Sequence, residues 1–261
     1  MGTSRRTLLG AALGGAAAAA VGLPAAPASA SSWVLKWNPS PYDDGLGAFE
    51  TVEDDRADSH PEGQPHIYVE DNTYRFNMHM VDRDTSTDRQ RQEVTGNRTS
   101  SSSYLQWLPG QTWRVTYWMY IPSSLKATTS FTHIMQMKQP GTGTSPIVVQ
   151  SLRRVSGAQT VELVLPISGT LVGRTSLDPL HDTWTKVDFR IKVGDGTSGT
   201  VRWILSDGTN TIIDKSLSGV DTFLDDRVRP KWGIYRSLGD TSGSLQDTYI
   251  RFKDFLGYQL V

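Results

Sequence analysis

The feature that most constrains this chain is a two-residue alternation that recurs along it. In Trp113-Arg-Val-Thr-Tyr-Trp-Met-Tyr-Ile121, residues Trp113, Val115, Tyr117, Met119 and Ile121 fall on one side and Arg114, Thr116, Trp118 and Tyr120 on the other. Successive side chains of an extended strand point to opposite faces, so this run reads as a strand with one face in a core. Tyr74–Met80 alternates in the same way, with Arg75, Asn77 and His79 on its polar side. Thr185, Val187, Phe189, Ile191 and Val193 make a further apolar face. Val201–Leu205 and Thr211–Ile213 flank Ser206-Asp-Gly-Thr-Asn210, an Asp-Gly hairpin signal. The run from Tyr249 to Leu260 predicts a closing strand, and Arg98–Ser103 reads as a polar loop. No long helical period, internal repeat or linker follows Ala30. Many short strands separated by turn residues predict an all-β sandwich of two antiparallel sheets.

Residues 1–30 differ in kind. Ser4-Arg5-Arg6 precedes an alanine- and leucine-rich run that ends Ala28-Ser29-Ala30. A basic start, an apolar stretch and an A-x-A end predict a secretory signal peptide, and the paired arginines predict the twin-arginine type. A membrane anchor fits less well, because glycines and a proline interrupt the stretch. The expectation is export, with residues 31–261 as one domain. The chain has a formal charge of −1, and the signal carries Arg5 and Arg6 without an acid, so the remainder is more acidic still. A mildly acidic exported protein is no general nucleic-acid binder, and attraction for an anion has to come from a local patch. The absence of cysteine excludes thiol catalysis and thiolate-ligated metals.

Three stretches supply such a patch. Arg89-Gln-Arg91-Gln-Glu93, Gln136-Met-Lys138 and Lys231-Trp-Gly-Ile-Tyr235 each carry polar residues at even spacing. In strands, Arg89, Arg91 and Glu93 share a face, as do Gln136 and Lys138, and Lys231 and Tyr235. Guanidinium, amide, amine and phenol groups on one groove suit an anionic substrate and a proton transfer.

In this order, the stretches resemble the jelly-roll polysaccharide lyases: the alginate lyases, glucuronan lyases and heparin lyase I-like proteins. Alginate lyases of this fold carry an Arg/Glu-rich strand, a Gln-Ile-His strand and a late Lys-Ala-Gly-x-Tyr strand. The second is matched here by Gln136-Met137-Lys138, with lysine where the family has histidine, a variant closer to the glucuronan lyase-like group. The resemblance spans most of residues 33–260. It implies a concanavalin-like β-jelly-roll and β-elimination on a uronic-acid polymer. It also implies a monomer whose partner is an acidic polysaccharide, without nucleic acid or membrane.

In that chemistry a uronate carboxylate is neutralised, a base removes the C5 proton, and an acid protonates the oxygen leaving C4. Stabilising the enolate-like charge is a large part of the work. Arg91 and Gln136 are the candidates for holding the carboxylate. Tyr235 and Lys138 are the candidates for proton transfer, since clustered cations favour phenolate and neutral amine. Arg89, Glu93, His79, Trp118 and Lys231 are the candidates for binding substrate, with Trp118 as a stacking floor for a sugar ring. His133 falls on the face opposite Gln136 and Lys138 and reads as structural.

Each residue has a plainer account. Arg91 and Glu93 make an ordinary salt bridge, Lys138 a solvated strand end, Tyr235 a ring packed under a loop, and Gly233 a bulge or close backbone approach. No cofactor is required on this reading. Calcium is a possible addition through Asp43, Asp44, Glu53, Asp54, Asp55 and Asp254, although solvated acidic turns explain those residues as well. A glycosidase fits poorly, because the six glutamates show no closely spaced carboxylate strand. No Gly-x-Ser-x-Gly or His-Glu-x-x-His occurs. The non-enzymatic alternative is a lectin-like carbohydrate-binding module on the same sheet.

The signal reading predicts that exported protein begins at Ser31. Changing Arg5 and Arg6 together to lysine is expected to leave precursor in the cytoplasm. N-terminal sequencing of both fractions checks this, and an exported chain beginning at Met1 contradicts it.

Overall fold

The computed structural model describes residues 31–60, 65–141 and 143–261, so the expected signal segment, residues 1–30, lies outside the described residues. The domain is built from two antiparallel sheets. One has the order β15 (Thr211–Val220), β14 (Gly199–Ser206), β13 (Trp184–Lys192), β8 (Thr112–Tyr120), β17 (Thr248–Leu260), β4 (Thr73–Met78) and β3 (Ile67–Glu70), with β1 (Trp33–Trp37) paired to β17. The other runs β12 (Thr170–Ser176), β11 (Ala158–Leu165), β10 (Val148–Val155), β9 (Thr132–Lys138), β16 (Arg229–Ser237), β5 (Arg89–Thr95) and β2 (Thr51–Glu53). The only α-helix among the described residues is α1, the short turn Pro41–Asp44. No helix of the described residues is long and apolar enough to cross a membrane.

The alternating runs become strands with the faces they imply. In β8, Trp113, Val115, Tyr117 and Met119 are buried, and Phe189 and Ile191 of the neighbouring β13 join them. The Asp-Gly signal closes β14 onto β15, with the Asp207 carboxylate accepting from the backbone N–H groups of Thr209 and Asn210. The expected loop at Arg98–Ser103 is instead a small hairpin, β6 (Arg98–Ser100) with β7 (Ser103–Tyr104). Arg98 steadies it by donating to the carbonyls of Phe49, Glu50 and Ser101.

The core between the sheets is aromatic. Trp232 of β16 stacks on Trp37 at 5.8 Å and meets Phe255 of β17 at 4.8 Å, and Phe255 lies 5.1 Å from Tyr117 of β8. Rings of this size bury large apolar areas, and their edge and face contacts fix how the two sheets lie on each other. A polar tie crosses the same space. Gln150 of β10 is fully buried and accepts a hydrogen bond from Trp203 Nε1 of β14 at 3.1 Å.

β5 and β16 approach each other very closely at Gly233, which sits opposite Glu93 with φ +141°. A Cβ at this position would stand 2.1 Å from the Gln92 carbonyl oxygen. Gly233→Ala therefore adds both backbone strain and a clash with main chain that cannot move aside. The expected loss is about 3 kcal/mol. Urea unfolding should show a lower midpoint with an unchanged slope, and an unchanged midpoint contradicts the close approach.

Candidate active site

On β5 the alternation separates two jobs. Gln90, Gln92 and Val94 are fully buried on the inner side. Arg89, Arg91 and Glu93 belong to the outer side of the seven-stranded sheet. β16 runs alongside, with Tyr235 opposite Arg91 and Lys231 opposite Thr95. On its other flank β16 meets β9, with Lys231 opposite Gln136 and Arg229 opposite Lys138. The three stretches singled out in the sequence are thus adjacent strands. Over them lies an open trough of about 440 Å³ lined by Glu53, Arg56, Asp84, Arg89, Arg91, Lys138, Arg229, Lys231 and Tyr235. A larger hollow of about 600 Å³ borders Lys36, Asp43, Asp44 and Arg98, but no histidine, tyrosine or glutamate lines it.

Glu93 is completely buried beneath the trough. Its carboxylate accepts from Gln136 Nε2 at 2.6 Å and from Arg91 Nη1 at 2.6 Å, and lies 3.1 Å from Lys231 Nζ. Lys231 also pairs with Glu53. Arg91 is further held by Asp84, whose Oδ2 accepts from its Nε at 2.9 Å. Burial works against the Arg91 charge, but Glu93, Glu53 and Asp84 outweigh it and raise its pKa above the usual range. Burial likewise opposes ionisation of Asp84, and Arg91 reverses that and holds its carboxyl below the ordinary value.

Tyr235 lines the trough. Its Oη accepts from Arg89 Nη1 at 2.7 Å, and its ring lies 3.8 Å from the Arg91 guanidinium carbon. Phe131 packs 5.0 Å away and His133 6.0 Å away. His133 is a correction to the sequence reading. The register of β9 slips at Ile134: Met135 faces Gln150 of β10, His133 faces Ser151, and Ile134 has no opposite number there. Ile134 and Met135 both enter the core. This bulge reverses the alternation and brings His133 to the face of Tyr235. Two adjacent apolar residues in Thr132-His-Ile-Met-Gln-Met-Lys138 were the available signal. The His133 Nδ1 contacts Ser151 Oγ at 2.6 Å. Burial, then Arg153 and Arg91, lower its pKa to about 3, so the ring is neutral at ordinary pH.

Other expected site residues are placed differently. Gln136 is buried, with its amide engaged by Glu93, and Glu93 itself lies out of reach of a ligand. Both position other groups rather than touch one in the trough. Lys138 stands six residues along β16 from Tyr235, roughly 20 Å at the rise of a strand. Its amine donates to Thr144 Oγ1 at 2.5 Å and to the Gly141 carbonyl at 3.3 Å. Burial first, then Lys231, Arg91 and Arg229, lower its pKa. The two residues are thus well separated along the backbone, although both side chains line the trough.

Trp118 lies on the outer face of the other sheet, beside Lys186, with the whole core between it and the trough. It is no floor for a ligand there. His79 is not at the trough either. It meets His60 and His66, with ring centres 4.8 and 5.2 Å away. The alternation showed the side of its sheet to which each residue points, but not which sheet carries the trough. The six acids considered for calcium are dispersed. Glu53 pairs with Lys231, Asp54 accepts from His66, Asp55 caps its own turn, Asp43 and Asp44 lie in α1, and Asp254 lies in β17.

No protein-family model matches the chain, and no curated protein matches it. Solved structures match in fold. The alginate lyase A1-II′, a member of polysaccharide lyase family 7, superposes with a TM-score of 0.56 at 14% identity, over 85% of this chain and 99% of that one. The endo-β-1,4-glucuronan lyase of the fungus Trichoderma reesei gives 0.53 at 14% identity, over 81% and 91%. The family 7 alginate lyase AlgAT5 gives 0.52 at 14% identity, over 75% and 83%. The chain has the β-jelly-roll fold of these polysaccharide lyases.

The neutral His133 has a consequence for stability. Its pKa falls from an ordinary 6.5 to about 3 in the fold, so below pH 6.5 the unfolded chain binds a proton that the folded chain refuses. The stabilising difference is complete above pH 6.5 and is lost as pH falls toward 3. Unfolding measured between pH 7 and pH 4 is expected to show a weaker pH dependence in His133→Gln than in the wild type. Equal slopes would place a charged His133 in the folded state.

Proposed function

We propose that this protein is an exported polysaccharide lyase that cleaves a uronic-acid-containing polymer by β-elimination. The observation that carries the reading is the environment of Tyr235, a phenol in an open, cation-lined trough with one guanidinium donating to its oxygen and another against its ring. Those groups stabilise negative charge on Oη while it exchanges a proton. Tyr235 takes the C5 proton, the electron pair forms the C4–C5 double bond, and the C4–O bond breaks. The departing oxygen then needs a proton, which Tyr235 returns or a neighbouring group supplies. His133 packs in the same corner, but a ring that stays neutral down to about pH 3 holds no proton to give, so Tyr235 is the group suited to return it.

Arg89 takes over the role the sequence suggested for Arg91. Arg91 is enclosed by Asp84, Glu93 and Glu53, so its charge is already met. Arg89 is more exposed, has only the solvent-exposed Asp88 as its acid among the described residues, and lies beside Tyr235. It is the cation placed to meet a substrate carboxylate. Lys138 extends positive charge along the trough for neighbouring sugar units. Fold relatives named for alginate and for glucuronan support a uronate polymer as the substrate class.

The test is a panel of uronate polymers followed by ultraviolet absorbance of the new C4–C5 double bond. Tyr235→Phe keeps the ring and is expected to lower the rate by about 10²–10⁴-fold. Arg89→Ala should weaken both binding and turnover, since the carboxylate is present in substrate and transition state alike. Lys138→Met should alter binding more than turnover. Full activity in folded Tyr235→Phe would remove the assignment. A wild type that binds the polymers but never forms the unsaturated product would be a carbohydrate-binding module.

A further inference from the structure

We propose that His60, His66, His79 and Asp82 form a four-ligand site for a divalent transition metal of the zinc class, separate from the trough. One ligand atom from each lies within 4.8 Å of all the others. The shorter separations match a tetrahedral site. His66 Nε2 stands 3.2 Å from Asp82 Oδ1 and 3.4 Å from His60 Nδ1, and His60 Nδ1 stands 3.5 Å from Asp82 Oδ1. Metal–ligand bonds of about 2.0–2.1 Å give tetrahedron edges of about 3.3–3.4 Å. His79 Nδ1 lies 3.4 Å from the other Asp82 oxygen, and its half-exposed ring can swing to complete the set.

Two of the polar groups are left without a hydrogen-bond partner among the described residues. Asp82 is completely buried, yet its Oδ1 has no hydrogen-bond partner among the described residues, although two imidazoles approach it. The His79 Nδ1 is likewise buried without a partner among the described residues. A carboxylate oxygen and a ring nitrogen left so would be costly. A cation between them removes both costs.

The groups behind the ligands are arranged as metal sites require. His66 Nδ1 meets Asp54 Oδ1 at 2.9 Å. That contact places the proton on Nδ1 and leaves the Nε2 lone pair aimed at the centre. Asp54 is itself fixed by the backbone N–H of Ile67. Asp82 Oδ2 accepts from the His79 backbone N–H at 2.6 Å, which leaves Oδ1 free. Imidazole and carboxylate donors suit zinc better than they suit calcium.

Four protein ligands make a closed, structural site. The ion would tie the segment after β2, the start of β3 and the β4–β5 connection into one unit. β5 holds two of these segments from inside. Gln90 Nε2 donates to the carbonyls of His79 and Asp82, and Gln92 Oε1 accepts from the Asp55 N–H. Asp84, two residues beyond Asp82, grips Arg91. The site therefore braces one wall of the trough without contributing to its chemistry.

The experiment uses untagged protein, stripped with a chelator and titrated with Zn²⁺ against a chromophoric competitor. Elemental analysis gives the stoichiometry, and Co²⁺ serves as a spectroscopic probe of tetrahedral coordination. The expected result is one ion per chain, with a melting temperature several degrees above that of the stripped protein. Asp82→Asn and His60→Ala should each weaken Zn²⁺ binding at least about 100-fold, and Asp54→Asn about 10–100-fold. Comparing each variant with stripped wild type separates lost metal from lost folding. A wild type that binds no stoichiometric Zn²⁺, one that binds only Ca²⁺, or full affinity in both ligand variants would overturn the proposal.

Discussion

The trough depends on one buried carboxylate. Glu93 has no contact with solvent, and removing a carboxylate from water costs several kcal/mol unless its surroundings replace the lost hydration. The replacement comes from three neighbouring segments: Arg91 on its own strand, Gln136 from β9 and Lys231 from β16. Gln136 and Lys231 can reach it only in the observed register, so the charge selects how β9 and β16 align with β5. The same contacts fix where the Arg91 guanidinium lies, and the Tyr235 ring rests against that guanidinium. The geometry around Tyr235 is thus inherited from an interaction that no ligand could touch.

β5 carries the arrangement in both directions. Its outward residues order the trough, and its inward glutamines hold the loops at the rim of the sandwich through main-chain hydrogen bonds. Buried amides are effective here because every unpaired donor or acceptor would be penalised in a low-dielectric interior. A disturbance in the loop bearing Asp82 can therefore reach Arg91 by two short routes. One runs through Gln90 and the strand, and the other through Asp84.

The fold was largely legible in the sequence, since period-two burial is a local property. β8, β13 and β17 begin and end within a residue of their alternating runs. The candidate site was legible in part. Arg89, Arg91, Lys231 and Tyr235 gather on one surface because β16 lies between the strands that carry the other two stretches. Trp118 and His79 were misplaced because alternation distinguishes the sides of a strand but not the sheet to which it belongs. Glu93 and Gln136 look like surface polar residues in sequence and become interior ones through mutual pairing across strands. His60 and His66 share no short spacing with His79, so only the fold brings them together.

The slip at Ile134 shows how a strand can change what it displays. Beyond it the two faces of β9 exchange roles, while the core keeps its full set of apolar side chains. Gain or loss of one residue at such a point can swap the side chains a surface displays without repacking the interior. Descendants of one ancestor can then carry equivalent groups at unequal separations along the chain. An alignment that preserves residue count would set the wrong side chains against each other, whereas matching by cross-strand partner would not. A sandwich built this way can change the surface it displays faster than its framework.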